Sequence, residues 1–110
     1  MRTLCFHYNS QMRIYSLSTL KKYWLKHPRV ENNLKHWHKK ILSKEYHSLR
    51  DIIADFSKAD AVGNDRIVFN IKGNDYRLIA RFNFDYQLCY VKFIDTHAEY
   101  DKVDAKTVGL

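Results

Sequence analysis

The chain is poor in the residues that break or staple a fold: one proline, three glycines and two cysteines in 110 residues. So little proline and glycine excludes collagen-like and low-complexity classes. Cys5 and Cys89 make neither a disulfide framework nor a metal quartet, which fits a reducing cytoplasm. No apolar run approaches the ~20 residues that span a bilayer, so no membrane partner is expected. No Cys/His spacing suggests zinc, no glycine-rich loop cradles a nucleotide, and no nucleophile elbow is visible. His36 and His38 are two apart on a helix and diverge, a poor metal pair. Met1 to Gln11 lacks a secretory apolar stretch. Residues 1–11 read as an extension outside the fold, and 12–110 as one domain with one modest core.

Carboxylates are also scarce, 12 Asp+Glu against 19 Lys+Arg, giving a net charge of +7. That balance favours a polyanionic partner, most often nucleic acid. Aromatics at 15% and apolar residues at 45% give the chain enough to bury.

The first half is helical. Ser18 is suited to cap a helix carrying Leu20, Tyr23 and Trp24, halted by His27-Pro28. A second helix over about Val30–Ser43 aligns Leu34, Trp37 and Ile41. A third over about Ser48–Phe56 aligns Leu49, Ile52, Ile53 and Phe56. Ser57–Asp65 reads as a polar connection with Gly63-Asn64 as its turn.

The second half is β. Gly73-Asn74 is a hairpin signal between Arg66–Lys72 and Asp75–Phe84, and Asp85-Tyr86 closes a second hairpin. These turns set Asn70 opposite Arg77, Val68 opposite Ile79, and Arg66 opposite Arg81. Beyond them Arg81 would face Tyr90, Ile79 would face Lys92, and Arg77 would face Ile94. Alternation then gathers Ile67, Phe69, Ile71, Tyr76, Leu78, Ala80, Phe82, Cys89, Val91 and Phe93 on one face. The other face collects Arg66, Asn70, Lys72, Arg77, Arg81, Asn83, Tyr90 and Lys92, with Val68 and Ile79 among them and no carboxylate. Helices should cover the apolar face, making an α+β fold.

A solvated sheet face usually mixes both signs, so a cationic one suits a phosphodiester backbone, with guanidinium forks matched to phosphate oxygens. Arg77, Arg81 and Lys92 are the catalytic candidates on that face; Arg66, Asn70 and Lys72 are candidate RNA contacts. Thr96-x-x-Glu99 spells a capping box, so a short helix starts with Thr96 as N-cap and Glu99 reaching back to it. His97 lands at the first helical position, where it could move a proton; a plain surface histidine is the competing reading. Tyr100, one turn on, could stack on a base or simply anchor the helix.

The runs Arg66-Ile67-Val68-Phe69-Asn70-Ile71-Lys72-Gly73-Asn74-Asp75-Tyr76-Arg77-Leu78 and Tyr90-Val91-Lys92-Phe93-Ile94-Asp95-Thr96-His97-Ala98-Glu99-Tyr100-Asp101-Lys102 closely resemble HigB-type toxins of bacterial toxin–antitoxin modules. The resemblance runs from Met12 to about Val103. It implies a RelE-like fold, N-terminal helices on one face of a small curved antiparallel sheet with a short C-terminal helix. It also implies a cytoplasmic endoribonuclease that cuts mRNA on the ribosome, and a HigA-type helix-turn-helix antitoxin encoded beside it. Carried over, the basic face is Arg77, Arg81 and Lys92 and the terminal motif is His97 with Tyr100. Neither cofactor nor metal is expected, since RNA supplies its own 2′-hydroxyl nucleophile. A non-enzymatic RNA- or ribosome-binding inhibitor on the same fold is the alternative.

Overall fold

The structure, a computed structural model, describes residues 11–109. Apart from Gln11, the expected extension lies outside the described residues, as does Cys5. Five strands and four helices follow in the order β1 (Arg13–Ile14), α1 (Leu17–Lys26), a 3₁₀ turn (Pro28–Val30), α2 (Glu31–Ile41), α3 (Leu49–Asp55), β2 (Ala59–Gly63), β3 (Arg66–Ile71), β4 (Tyr76–Asn83), β5 (Leu88–Thr96) and α4 (His97–Tyr100). None of these helices is long and apolar enough to cross a membrane.

The strands form one sheet in the order β1-β5-β4-β3-β2. β2 to β5 are antiparallel, and β1 adds a short parallel edge beside the start of β5. This is the α+β, RelE-like architecture. Helices lie on one face: Leu20, Trp24, Leu34, Trp37, Ile41 and Ile52 share a core with Ile67, Phe69, Leu78, Phe82, Cys89 and Val91. Burial raises the Cys89 thiol well above its usual pKa, as suits a core residue.

Several local expectations are corrected. Ser16, not Ser18, precedes α1, and its hydroxyl accepts from the Val91 N–H (3.2 Å) rather than capping the helix. The Ser57–Asp65 connection contains a strand, β2, whose exposed residues are held by backbone pairing with β3 instead of an apolar face. The β3–β4 register is as expected, with Arg66↔Arg81, Val68↔Ile79 and Asn70↔Arg77. Between β4 and β5 it holds only as far as Arg81↔Tyr90 and Ala80↔Val91.

A β-bulge then skips Lys92, pairing Ile79 with Phe93, Leu78 with Ile94 and Arg77 with Asp95. One extra residue reverses the face of everything after it. Ile94 therefore enters the core in place of Phe93, and Phe93 turns outward to lie 6.3 Å from the Tyr100 ring.

The outer face is not open along its length. Residues 101–109 return across it, and the Arg66 guanidinium donates from Nη1 to the carbonyls of Ala105 (3.1 Å) and Val108 (2.7 Å). Asn64 holds the same segment through Lys106 (3.0 Å). Val68 and Ile79, on the same face as Arg66, are buried there too, outside the main core cluster.

Candidate active site

Arg77, His97 and Tyr100 come together where β4 begins and β5 ends. The bulge is what carries Asp95 to the position opposite Arg77, so that Thr96 and α4 fall beside the start of β4. Asp95 is fixed from two sides: its Oδ1 accepts from the Tyr23 hydroxyl on α1 (3.1 Å) and from the Thr96 N–H (2.8 Å). The Thr96 hydroxyl caps α4 through the Glu99 N–H (3.3 Å), and the His97 N–H donates to the Asp75 carbonyl (2.9 Å). These bonds seat His97 against the Lys72–Asp75 hairpin.

Half of the expected capping box forms. Glu99 does not reach back to Thr96, whose N–H is already taken by Asp95; the Glu99 carboxylate pairs with Lys102 Nζ at 3.0 Å in solvent.

Arg77 is almost fully buried. Its Nη1 donates to the carbonyls of Asn74 (3.1 Å) and Tyr76 (3.2 Å), and Nη2 to Asn74 Oδ1 (2.7 Å). A guanidinium has five N–H groups. Three are spent on positioning, which leaves Nε–H and one Nη2–H. The guanidinium carbon lies 5.9 Å from the centre of the Tyr100 ring, a cation–π contact. His97 Nδ1 lies 3.2 Å from Asp101 Oδ2. That contact orients the imidazole and leaves Nε2 without a partner among the described residues.

The remaining candidates are distributed differently. Arg81 lies four residues along β4 from Arg77, roughly 13 Å at strand spacing. It lines a recess of about 280 Å³ with Asp65, Asn83 and Asp85. Lys92, released by the bulge, lines a cleft between α1 and β5 with Lys22 and Lys26, its ammonium 5.6 Å from the Tyr90 ring. Asn70 stays directly across from Arg77, and Lys72 occupies the hairpin with φ +54°.

Arg66 is wholly buried under the strap and is thereby withdrawn from RNA contact. Burial and the Arg81 charge both lower its pKa. The carboxylate-free face is also corrected: Asp95 is brought in by the bulge, and Asp101 by α4.

Sequence reasoning missed the groups that hold the site in place. Asn74 was read only as a turn residue, and its Arg77 contact depends on how the hairpin folds. Asp101, four residues after His97, was visible as an i,i+4 pair on a helix. Lys22 and Lys26 lay on a helix whose packing had not been placed.

Residues 30–103 match the family described as HigB_toxin, RelE-like toxic component of a toxin–antitoxin system. Curated relatives include the mRNA interferase toxin HigB of Escherichia coli K12, 47% identical over 34 residues. The mRNA interferase HigB proteins of Escherichia coli O157:H7 and Shigella flexneri match to the same extent. In each case the matched segment is 31% of this chain and 33% of the relative, so the chain matches about a third of the length of these relatives.

Proposed function

The chain belongs to the HigB family of RelE-like toxins, and from that membership we propose that it is an endoribonuclease. In this reading it cuts mRNA on translating ribosomes in the cytoplasm and is neutralised by a cognate helix-turn-helix antitoxin. The observation that carries the reading is the convergence of Arg77, His97 and Tyr100.

RNA brings the nucleophile. Its 2′-hydroxyl oxygen attacks the adjacent phosphorus, the bond from phosphorus to the 5′-oxygen breaks, and a 2′,3′-cyclic phosphate and a 5′-hydroxyl result. The proton lost from the 2′-hydroxyl and the one gained by the 5′-oxygen must both be moved, and His97 Nε2 is the free titratable atom to do so. Arg77 neutralises the charge that grows on the phosphorane with its two unspent N–H groups. Tyr100 offers a ring for a base to stack on. Arg81 and Lys92, displaced along the sheet, hold neighbouring phosphates, with Lys22 and Lys26 extending the track. The scheme uses no metal ion, so cleavage in excess chelator is expected.

The test is brief induction of the wild type and of Arg77→Ala, with transcripts mapped by primer extension. New 5′ ends within translated regions, present with wild type and absent with Arg77→Ala, are the expected result. Growth arrest with intact transcripts would replace the nuclease with a non-enzymatic inhibitor.

A further inference from the structure

β2 pairs with β3 only as far as Ala59↔Phe69, so on that side the last part of β3 meets only the Lys58 carbonyl, which accepts from the Asn70 N–H (3.4 Å). A recess of about 310 Å³ opens there, bounded by α2 and the end of β3. Asn32, Asn33, His36 and Lys40 border it from α2, Asn70 from β3 and Lys72 from the turn that follows. Three amides and two lysines thus face one notch, and no carboxylate lines it. Lys40 is held in place, its ammonium 4.7 Å from the centre of the Phe56 ring.

Trp37 forms part of the wall. Its residue is 3% exposed, and its Nε1–H has no acceptor among the described residues. Asn70, which lines the notch, is the cross-strand partner of Arg77.

We propose that this notch is a subsite for one nucleotide of the RNA strand, next to the phosphate held by Arg77. The inference rests on the ribonuclease reading above. Lys40 and Lys72 take the phosphate, and the amides of Asn32, Asn33 and Asn70 take the oxygen and nitrogen acceptors of the base. A carboxylate side chain would satisfy the two cations but leave the three amides unmatched. A nucleotide supplies both kinds of group.

The chain has two tryptophans, so indole N–H resonances give a direct readout with Trp24 as internal control. The full-length protein is titrated with a tetranucleotide carrying 2′-O-methyl groups, which cannot be cleaved. The Trp37 indole signal, assigned with Trp37→Phe, should move saturably while that of Trp24 stays in place. Asn33→Asp and Lys40→Glu, made separately, should each weaken the tetranucleotide at least tenfold. A Trp37 indole that stays fixed while Tyr100 responds to the oligonucleotide overturns the subsite and leaves the nuclease reading standing. A response to a glutamate-rich peptide but not to the tetranucleotide makes the notch a protein site and overturns the proposal as well. The nuclease reading fails separately, through intact transcripts on induction.

Discussion

His97 and Asp101 face each other across one turn of α4, with Nδ1 and Oδ2 3.2 Å apart. The contact is half exposed, so its role is to hold the ring in one orientation rather than to add stability. Asp101→Asn should therefore slow mRNA cleavage, by less than His97→Gln does, with an unchanged melting temperature. In the double variant the two losses should not add, because Asp101 acts only through His97. Cleavage rates of the four proteins measured side by side check this; fully additive losses would separate Asp101 from the histidine.

Arg77→Ala should cut cleavage by about 10²–10³-fold, the usual loss for one donor to a developing charge. It should outweigh His97→Ala, since RNA groups of the ribosome can share the proton transfer. Arg77→Lys should not restore activity, because an ammonium cannot hold both atoms of Asn74 and still present two N–H groups to a phosphate. Asn74→Ala should fall between wild type and Arg77→Ala. Equal activity of Arg77→Lys and wild type would mean that charge alone suffices.

Glu99→Gln should leave both melting temperature and cleavage nearly intact, since the Glu99 side chain meets only Lys102 in solvent. Loss of cleavage in a stable Glu99→Gln protein would promote Glu99 to the proton carrier.

The strap gives a stability prediction. Arg66→Ala removes a charged donor from two carbonyls, worth about 1.5–3 kcal/mol per hydrogen bond. Its melting temperature should drop by several degrees, while the folded protein cleaves normally. Gly109→Ala acts at the other end: a Cβ there would sit 2.6 Å from the Lys92 carbonyl oxygen, on a backbone with φ +77°. Thermal melts of both variants read the result, and an unchanged melting temperature for both would show that the strap contributes nothing.

Alkaline pH should destabilise the fold. Tyr23 and Tyr46 donate to Asp95 and Asp55, and burial together with these carboxylates raises both phenol pKa values. A raised native pKa means that the stabilisation is complete below the unfolded value of about 10. It is lost as pH climbs from there toward the native value. Melting temperature should fall above about pH 10. Tyr46→Phe should flatten that fall while lowering stability at neutral pH.

Much of the fold was readable because two turns, chosen for their own chemistry, imposed one register on β3 and β4. The core face of those strands followed, as did the tryptophans on the helices. The bulge at Lys92 was not readable: Tyr90 to Asp95 alternates acceptably in either register, and the choice falls to packing, which favours Ile94 inside and Phe93 against Tyr100. Strand β2 was missed because an edge strand held by backbone pairing needs no apolar period. Arg66 was misassigned for a similar reason. Its position in the strand placed it on the cationic face, but nothing in Asp101–Gly109 announced that those residues would cover it. Within the candidate site, residues were legible by type and spacing; the hydrogen bonds from Asn74 and Asp95 that position them depended on the final geometry.

The pairing of β1 with β5 governs when this protein can exist during its own synthesis. Ser16 waits for the N–H of Val91, 75 positions later, and β1 has no other strand to join. β4, in the middle of the sheet, likewise stays half-paired until β5 emerges. A chain made from its N-terminus thus carries α1 to α3 early and the candidate site last, since His97 and Tyr100 follow the final strand. Until β5 has paired, the chain holds the pieces of the candidate site without its geometry.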